Sequence, residues 1–278
     1  MLTQAEKGRA FRALHERPNA FIIPNPCDAG SARVLAHLGF EALATTSAGH
    51  AFSLGRRDNT VHRDQVIAHL TAIVSATDLP VSADLESGFG DRPETVAETI
   101  RLAAAAGVVG GSIEDSTGRT DNPRYEREHA ADRVRAAAEA ARALRVPFML
   151  TARAENYLIG QRDLGDTIRR LQSYQEAGAA VLYPPGLTSK DDIAAVISSV
   201  DRPVNVLAGL RGVPQSLATL SELGVKRISV GSALSRAAFG TLFRAGREMR
   251  EHGTFCFADE AEAYPDLNAL FTPPPPRQ

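Results

Sequence analysis

Residues 80–86 read PVSADLE, an apolar run that ends in Asp84 and Glu86. The same pattern returns at residues 110–115 (GGSIED) and at residues 147–155 (PFMLTARAE). A buried strand rarely ends in ionised groups, because removing a charge from water is costly unless it meets a counter-charge or a metal. Charged groups at successive strand ends therefore indicate one shared polar site.

Working outward, apolar runs alternate with alanine-rich helical patterns along the chain, such as residues 93–106 and 163–177. Several of these helical segments end in glycine, which favours the left-handed conformation that closes many helices. Strands alternating with helices predict right-handed crossovers and a parallel sheet. An α/β fold, specifically a single (β/α)8 TIM-type barrel, is therefore expected, with an open doubly wound sheet as the alternative. The predicted strands begin near Phe21, Ala42, Pro80, Gly110, Pro147, Ala180, Pro203 and Arg227.

The domain prediction is a single barrel domain over residues 1–278, with its core at about 20–250. Residues 3–16 form a predicted amphipathic N-terminal helix. Residues 251–278 lose periodicity and are predicted to form an irregular C-terminal extension. The tail at residues 273–276 is four consecutive prolines, and we expect it to be disordered.

Composition excludes several classes of function. A formal net charge of −2 and the absence of a Lys/Arg-rich block argue against nucleic-acid binding. No apolar run approaches the roughly 20 residues of a membrane-spanning helix, so no membrane association is expected. Cys27 and Cys256 form neither a disulfide framework nor a zinc signature, which favours a cytoplasmic protein.

In a parallel barrel the active site lies at the C-terminal ends of the strands. Alternation along the third strand places Asp84 and Glu86 on the same side. Together with Glu114 they form a hard oxygen donor set that suits Mg²⁺, with Mn²⁺ as an alternative. Arg153 is then expected to pair with a carboxylate or a developing oxyanion of the substrate. The competing interpretation is that these groups only form salt bridges between strands.

Five motifs together resemble the isocitrate lyase/phosphoenolpyruvate mutase superfamily. They occur in family order between about residues 21 and 247, and jointly they are specific. The resemblance implies a (β/α)8 barrel, a catalytic Mg²⁺, and chemistry on small 2-oxo or 2-hydroxy carboxylates through an enolate. The motifs are residues 25–32 (NPCDAGSA), 45–49 (TTSAG), 82–86 (SADLE), 111–115 (GSIED) and 151–153 (TAR).

The resemblance also implies roles by position. Asp84 resembles the direct metal ligand, with Glu86 and Glu114 in its water shell, and Asp58 resembles an acid that supports a metal-bound water. Arg153 resembles the catalytic arginine that stabilises an oxyanion. The implied substrate-binding residues are Thr46, the carboxylate cradle formed by Ser47, Ala48 and Gly49, and also Asp84, Arg153 and Asn205.

The chain departs from the family in the lid after the fourth strand. Isocitrate and methylisocitrate lyases carry a Lys-Lys-Cys-Gly-His segment there, whereas residues 116–125 read STGRTDNPRY. The general acid is therefore not assigned.

The first hypothesis is a Mg²⁺-dependent lyase that cleaves a C–C bond of an oxaloacetate-like or substituted malate-like acid. The alternatives are P–C chemistry on phosphonopyruvate or phosphoenolpyruvate, and a non-catalytic carboxylate-binding barrel.

The resemblance further implies a homo-oligomer, a tetramer or alternatively a dimer, in which the last barrel helix packs on a neighbouring subunit. Residues 235–250 are the candidate helix, with Phe239, Leu242 and Phe243 as its apolar stripe. The alternative is an ordinary eighth helix that packs on its own barrel.

Overall fold

The computed structural model describes residues 2–210, 212–213 and 216–272. Every apolar run that predicts a strand forms one in this part of the chain. In chain order the strands are β1 (Phe21–Ile23), β2 (Leu43–Ala44), β3 (Val81–Asp84), β4 (Gly110–Glu114), β5 (Met149–Arg153), β6 (Val181–Tyr183), β7 (Asn205–Leu207) and β8 (Arg227–Ser229).

These strands pair in parallel in two sheets, with the orders β2-β3-β4-β5-β6 and β1-β8-β7. Backbone contacts between described residues connect the sheets at both junctions. Leu182 of β6 forms an isolated parallel bridge with Val204, and the Ala44 amide of β2 donates to the Pro24 carbonyl at 3.1 Å. The predicted parallel α/β fold is confirmed.

Helices follow the strands, as the alternating pattern predicts. Gly107 and Gly178 adopt φ values of +100° and +106° directly after two helices, so glycine closes these helices as expected. No helix in the described residues is long and apolar enough to cross a membrane. The helices are α1 (Gln4–Glu16), α2 (Ala29–His37), α3 (Ser47–Ser53), α4 (Arg63–Ala76), α5 (Pro93–Ala105), α6 (Arg127–Arg142), α7 (Leu164–Glu176), α8 (Lys190–Ser198), α9 (Leu217–Glu222), α10 (Ala233–His252) and α11 (Tyr264–Phe271).

The C-terminal extension is more regular than the sequence predicts. It contains a 3-10 helix at Cys256–Glu260 and then α11, which packs against α2. The Arg33 guanidinium of α2 donates to the Phe271 carbonyl at 2.8 Å. The expectation of an irregular segment is therefore wrong for these residues, because tertiary contact stabilises a helix too short to show periodicity. The proline tail at residues 273–276 lies outside the described residues. Both cysteines are free.

Apolar packing closes the end of the sheet where the strands begin. Phe11 and Leu14 of α1 are buried there, in a cluster with Phe21 and Met149, the first residues of β1 and β5. A Thr3 capping box with Glu6 fixes the start of α1. Because this end is filled by apolar side chains, the charged groups collect where the strands end.

Candidate active site

One guanidinium connects three strand ends. Arg153, the last residue of β5, points inward, and its Nη1 lies 3.1 Å from both Asp84 Oδ1 and Glu114 Oε2. Its Nε lies 2.8 Å from Glu155 Oε1. All four side chains are at most 15% exposed, so these ion pairs are buried. The salt-bridge network of the competing interpretation therefore exists.

This network carries more acid than one arginine can compensate. Burial, followed by repulsion from Asp84 and Asp58, raises the pKa of Glu86 to about 8. Burial also raises the pKa of Glu114 well above its ordinary value, although Arg153 opposes the shift. Burial is the main cause of both shifts and repulsion between neighbouring carboxylates adds to it, so a further cation would favour the ionised forms.

The acids divide between two adjacent cavities. Asp84, Asp58 and Arg153 line a cavity of about 160 Å³, whereas Glu86 and Glu114 line a neighbouring cavity of about 280 Å³. The prediction that Asp84 and Glu86 share one side by strand alternation is wrong, because β3 ends at Asp84 and Glu86 has a φ of +49°.

Residues with strained backbone conformations lie around the second cavity. Asn59 and Phe89 line it, and like Glu86 they are non-glycine residues with positive φ, at +61° and +62°. Left-handed backbone at non-glycine residues costs free energy and concentrates at functional sites. The strain is thus located beside the acid cluster.

The predicted carboxylate cradle forms the first turn of α3. Thr46 caps this helix by accepting from the Gly49 amide at 3.2 Å, and the Ser47 amide donates to Asp84 Oδ2 at 3.1 Å. Ala48 lines the 160 Å³ cavity beside them. Glycine is required at position 49, since an added Cβ would lie 2.5 Å from Thr46 Cγ2. Two of the three cradle amides therefore already have partners within the protein.

Asp58 lies after α3 and lines the same cavity as Asp84. Asp58 is exposed at the surface, and its Oδ1 accepts from the Asn59 amide at 3.0 Å. Partial loss of water around the carboxyl group, followed by repulsion from Asp84, raises its pKa. The structure therefore brings Asp58 to the acid cluster.

Asn205 is fully buried at the start of β7, and both of its polar atoms have partners. Its Oδ1 accepts from Arg227 Nε at 2.8 Å, and its Nδ2 donates to Ser229 Oγ at 2.9 Å. Asn205 lines the cavity, as expected for a substrate-binding residue. Its side chain is held in place by the buried Arg227 and by Ser229.

Several residues that line this cavity were not predicted as site residues from the sequence. Asn25 connects three strand ends: its Nδ2 donates to the Thr45 carbonyl, and its Oδ1 accepts from the Val230 and Gly231 amides, each at 2.9 Å. Tyr183 and Arg227 line the same cavity. The one available signal was a charged residue, Arg227, at the beginning of an otherwise apolar strand.

The acids fit a divalent cation through the chemistry of their donors. Asp84, Glu86 and Glu114 supply hard carboxylate oxygens with uncompensated charge. Within the described ranges, no three His, Cys, Asp or Glu side chains lie close enough together to hold a metal by themselves. Such an arrangement suits an ion that keeps several water ligands, as Mg²⁺ usually does. It suits less well an ion whose ligands are all side chains.

The raised pKa of Glu86 predicts a pH-dependent response to Mg²⁺. In the folded protein the pKa of Glu86 is about 8, whereas the ordinary pKa of a glutamate, expected in the unfolded chain, is 4.5. Metal-free stability should therefore fall as pH rises between these two values, since only the folded state keeps the proton. A cation favours the ionised carboxylate, so Mg²⁺ should raise the unfolding temperature more above about pH 8 than below about pH 6. Thermal scans with Mg²⁺, and with NaCl at equal ionic strength as the control, test this. An equal effect of Mg²⁺ at every pH would contradict it.

The lid is held by one exposed ion pair, Arg119–Asp91, and by one partly buried ion pair, Arg124–Asp166. Arg119 donates to Asp91 Oδ2 at 2.9 Å, and Arg124 donates to Asp166 Oδ2 at 2.8 Å. Tyr125 also donates to Asp91. Arg119 lines the 280 Å³ cavity, and the lining of the 160 Å³ cavity includes neither arginine.

The fold and site together define a parallel α/β protein with an acidic, arginine-containing centre at its strand ends. Residues 11–250 match the family model described as phosphoenolpyruvate phosphomutase. The chain therefore belongs to this family, and with it to the phosphoenolpyruvate mutase/isocitrate lyase superfamily.

Three comparisons describe this relationship. The chain is 61% identical to a "putative lyase/mutase" from Burkholderia cenocepacia J2315, whose crystal structure matches 98% of this chain and 97% of that one with a TM-score of 0.95. It is 28% identical to 2-methylisocitrate lyase of Escherichia coli (strain K12), covering 88% of this chain and 82% of the relative. It is 26% identical to a 2,3-dimethylmalate lyase structure, covering 97% and 95% with a TM-score of 0.85.

These relatives identify the protein as an enzyme of a lyase and mutase superfamily. That outcome favours catalysis over the non-catalytic carboxylate-binding barrel.

Proposed function

We propose that this protein is a Mg²⁺-dependent lyase that cleaves a C–C bond of a small 2-oxo or 2-hydroxy carboxylate. The supporting observation is the buried acid cluster, in which Arg153 alone faces Asp84, Glu114 and Glu155 beside a small polar cavity. Oxaloacetate-like and substituted malate-like acids are the substrate candidates. We also propose that the two sheets form one closed (β/α)8 barrel, since both junctions between them carry a backbone contact.

The metal would be held by Asp84 directly, and by Glu86 and Glu114 through water, with Mn²⁺ as an alternative to Mg²⁺. A dication bound there supplies Lewis-acid polarisation of the substrate carboxylate and α-oxygen. Asp58, on the same cavity, would hold a water of that shell in position.

Arg153 supports the chemical step through its charge. Burial alone would lower its pKa, but Glu114, Glu155 and Asp84 outweigh burial and raise it well above the ordinary value, so the guanidinium stays charged. A fixed positive charge beside the cavity stabilises the negative charge that develops on an enolate as the C–C bond breaks. One such preorganised donor typically contributes about 3 kcal/mol.

The size of the cavity favours a short substrate. Its volume is about 160 Å³, similar to the ~150 Å³ of an engineered cavity that holds one benzene molecule. A four-carbon acid matches this space better than a branched tricarboxylate does.

P–C chemistry has less support from the lid. A dianionic phosphonate needs a cation close by, and Thr120 stands where lysine would be expected. Arg119 and Arg124, the two candidate replacements, are both paired with acids. We therefore place C–C cleavage first.

A substrate panel tests the proposed function. The protein should turn over a short 2-oxo or 2-hydroxy diacid with Mg²⁺, and EDTA should abolish the rate until Mg²⁺ is added back. Phosphonopyruvate is the comparison substrate, and phosphorus NMR monitors its conversion. Turnover of phosphonopyruvate alone, or of no acid in the panel, would reject C–C cleavage.

We also propose that the protein is a homo-oligomer assembled through α10. Of the 20 residues of this helix only Ser235 and Ala245 are buried among the described residues, whereas Leu242 and Phe243 are 63% and 64% exposed. An ordinary barrel helix would bury one whole face. An open cleft of about 540 Å³ between Phe52 of α3 and Phe239 of α10 adjoins this surface. An exposed apolar helix face beside an open cleft is typical of an interface between copies of one chain.

Light scattering tests the assembly. We expect a tetramer, or a dimer, for the wild-type protein, and a smaller assembly for the double substitution Leu242→Glu and Phe243→Glu. Leu38→Glu, at an exposed leucine after α2, is the control and should leave the mass unchanged. A monomeric wild-type protein would contradict the proposal.

A further inference from the structure

The inner end of the 160 Å³ cavity is polar, where parallel barrels usually pack branched aliphatic side chains. We call this end the cavity floor and define it by Ser82, Asn205, Arg227 and Ser229, all of which line the cavity. Burying polar groups costs free energy unless they are hydrogen-bonded. A polar layer at this depth indicates a site for a polar ligand.

Arg227 is the charged group of the cavity floor. It is only 4% exposed. Its Nε donates to Asn205 Oδ1 at 2.8 Å and its Nη2 donates to Thr151 Oγ1 at 3.0 Å. Its Nη1 is buried without a hydrogen-bond partner in the described residues. No salt bridge of the described chain includes Arg227.

Other buried arginines are compensated. Arg153 faces three carboxylates, and Arg170 pairs with Asp115 and Asp166. Arg133 donates to backbone carbonyls and stacks on the ring of Tyr125, 3.9 Å from its centroid. An isolated buried guanidinium is expensive, and among the described residues Arg227 has neither a carboxylate partner nor an aromatic ring stacked on it.

Among the residues that the structure describes, the surroundings of Arg227 supply no anion. Burial, followed by repulsion from Arg227, lowers the pKa of His15 to about 3, so this side chain is neutral. Burial raises the pKa of Tyr183 to about 12, so its hydroxyl group keeps its proton. Burial also lowers the pKa of Arg227 itself to about 10, which leaves it charged at neutral pH. The cavity is therefore positive at its floor and acidic where the strands end.

We propose that Arg227 binds a second anionic group of the substrate at the cavity floor, which makes the substrate a short diacid. The inference rests on the proposed function, because it assumes that this cavity holds the substrate. Thr151, the partner of Arg227, precedes Arg153 by two residues on β5, a rise of about 7 Å. A diacid with a few carbon atoms between its ends spans that step, with one carboxylate at Arg227 and the reacting end beside Arg153.

Calorimetric titration with two matched acids tests the inference. Malate and 2-hydroxybutanoate have the same chain length and differ in the far carboxylate. We expect the wild-type protein with Mg²⁺ to bind malate about 30-fold more tightly, as for a hydrogen-bonded charge. In Arg227→Met, malate should bind only as weakly as 2-hydroxybutanoate, whose affinity stays unchanged. Arg145→Met, at an exposed arginine before β5, is the control and should keep the preference.

Equal affinity of the wild-type protein for the two acids would overturn the inference, even if Arg227→Met does not fold. A preference that persists in a folded Arg227→Met protein would overturn it as well. Asp84→Asn separates this inference from the proposed function: it should lose Mg²⁺-dependent turnover and keep the preference for malate. An Arg227-dependent preference in a protein that turns over no acid would reject the proposed function alone. Turnover of monoacids without any preference would reject this inference alone.

Discussion

Asp84→Asn is expected to abolish Mg²⁺ binding and catalysis while the protein stays folded. Asp84 is the last residue of β3 and contacts Arg153 and the Ser47 amide, so it connects the acid cluster to the cradle. Asparagine keeps the shape and one oxygen acceptor but removes the charge that a dication requires. We expect the affinity for Mg²⁺ to fall by at least about 100-fold and kcat by more than about 10³-fold.

Calorimetric titration with Mg²⁺ and a steady-state assay measure these losses. Asp132→Asn, at an exposed aspartate on α6, is the matched control and should behave like the wild-type protein. Asp84→Asn should also lower the pKa of Glu86, because Asp84 is one of the groups that raise it. Unchanged Mg²⁺ affinity in Asp84→Asn would remove Asp84 as the metal ligand.

Arg153→Met is expected to reduce both catalysis and stability. The substitution leaves Asp84, Glu114 and Glu155 without their shared counter-charge. Removing one partner from a buried ion pair typically costs about 3–5 kcal/mol, and losing a charge-stabilising donor lowers kcat by about 10²–10³-fold. The destabilisation should grow as pH rises, since the remaining carboxyl groups ionise.

Urea unfolding at several pH values, with and without Mg²⁺, measures this effect. Arg101→Met is the control, because its ion pair with Glu98 is exposed and contributes less than about 1 kcal/mol. An Arg153→Met protein with wild-type kcat would show that the arginine only connects the strands.

Local sequence patterns predicted most of the fold. Apolar runs predict the strands, and glycines predict the helix ends, to within a few residues. The helix predicted over residues 235–250 corresponds to α10, which carries the exposed apolar residues Phe239, Leu242 and Phe243. The short helix α11 was missed because one or two turns show no periodicity, and it forms only where Phe271 reaches α2.

The site was predicted less completely. Asp84, Glu114 and Arg153 are in register at neighbouring strand ends, so alternation and strand order were enough to bring them together. Glu86 lies past the end of β3 in a left-handed conformation that alternation does not predict. Asn25 and Arg227 act through partners far away in the chain, such as Val230 and Thr151. Contacts of that range depend on the tertiary fold, which no local pattern describes.

A crystal structure with Mg²⁺ and oxalate tests the central claim most directly, because oxalate imitates the enolate. We expect one cation bound to an Asp84 oxygen and chelated by oxalate, with waters leading to Asp58, Glu86 and Glu114. The Arg153 guanidinium should face the same oxalate. A cation bound away from Asp84, or an Arg153 that turns outward from the cavity, would contradict the account.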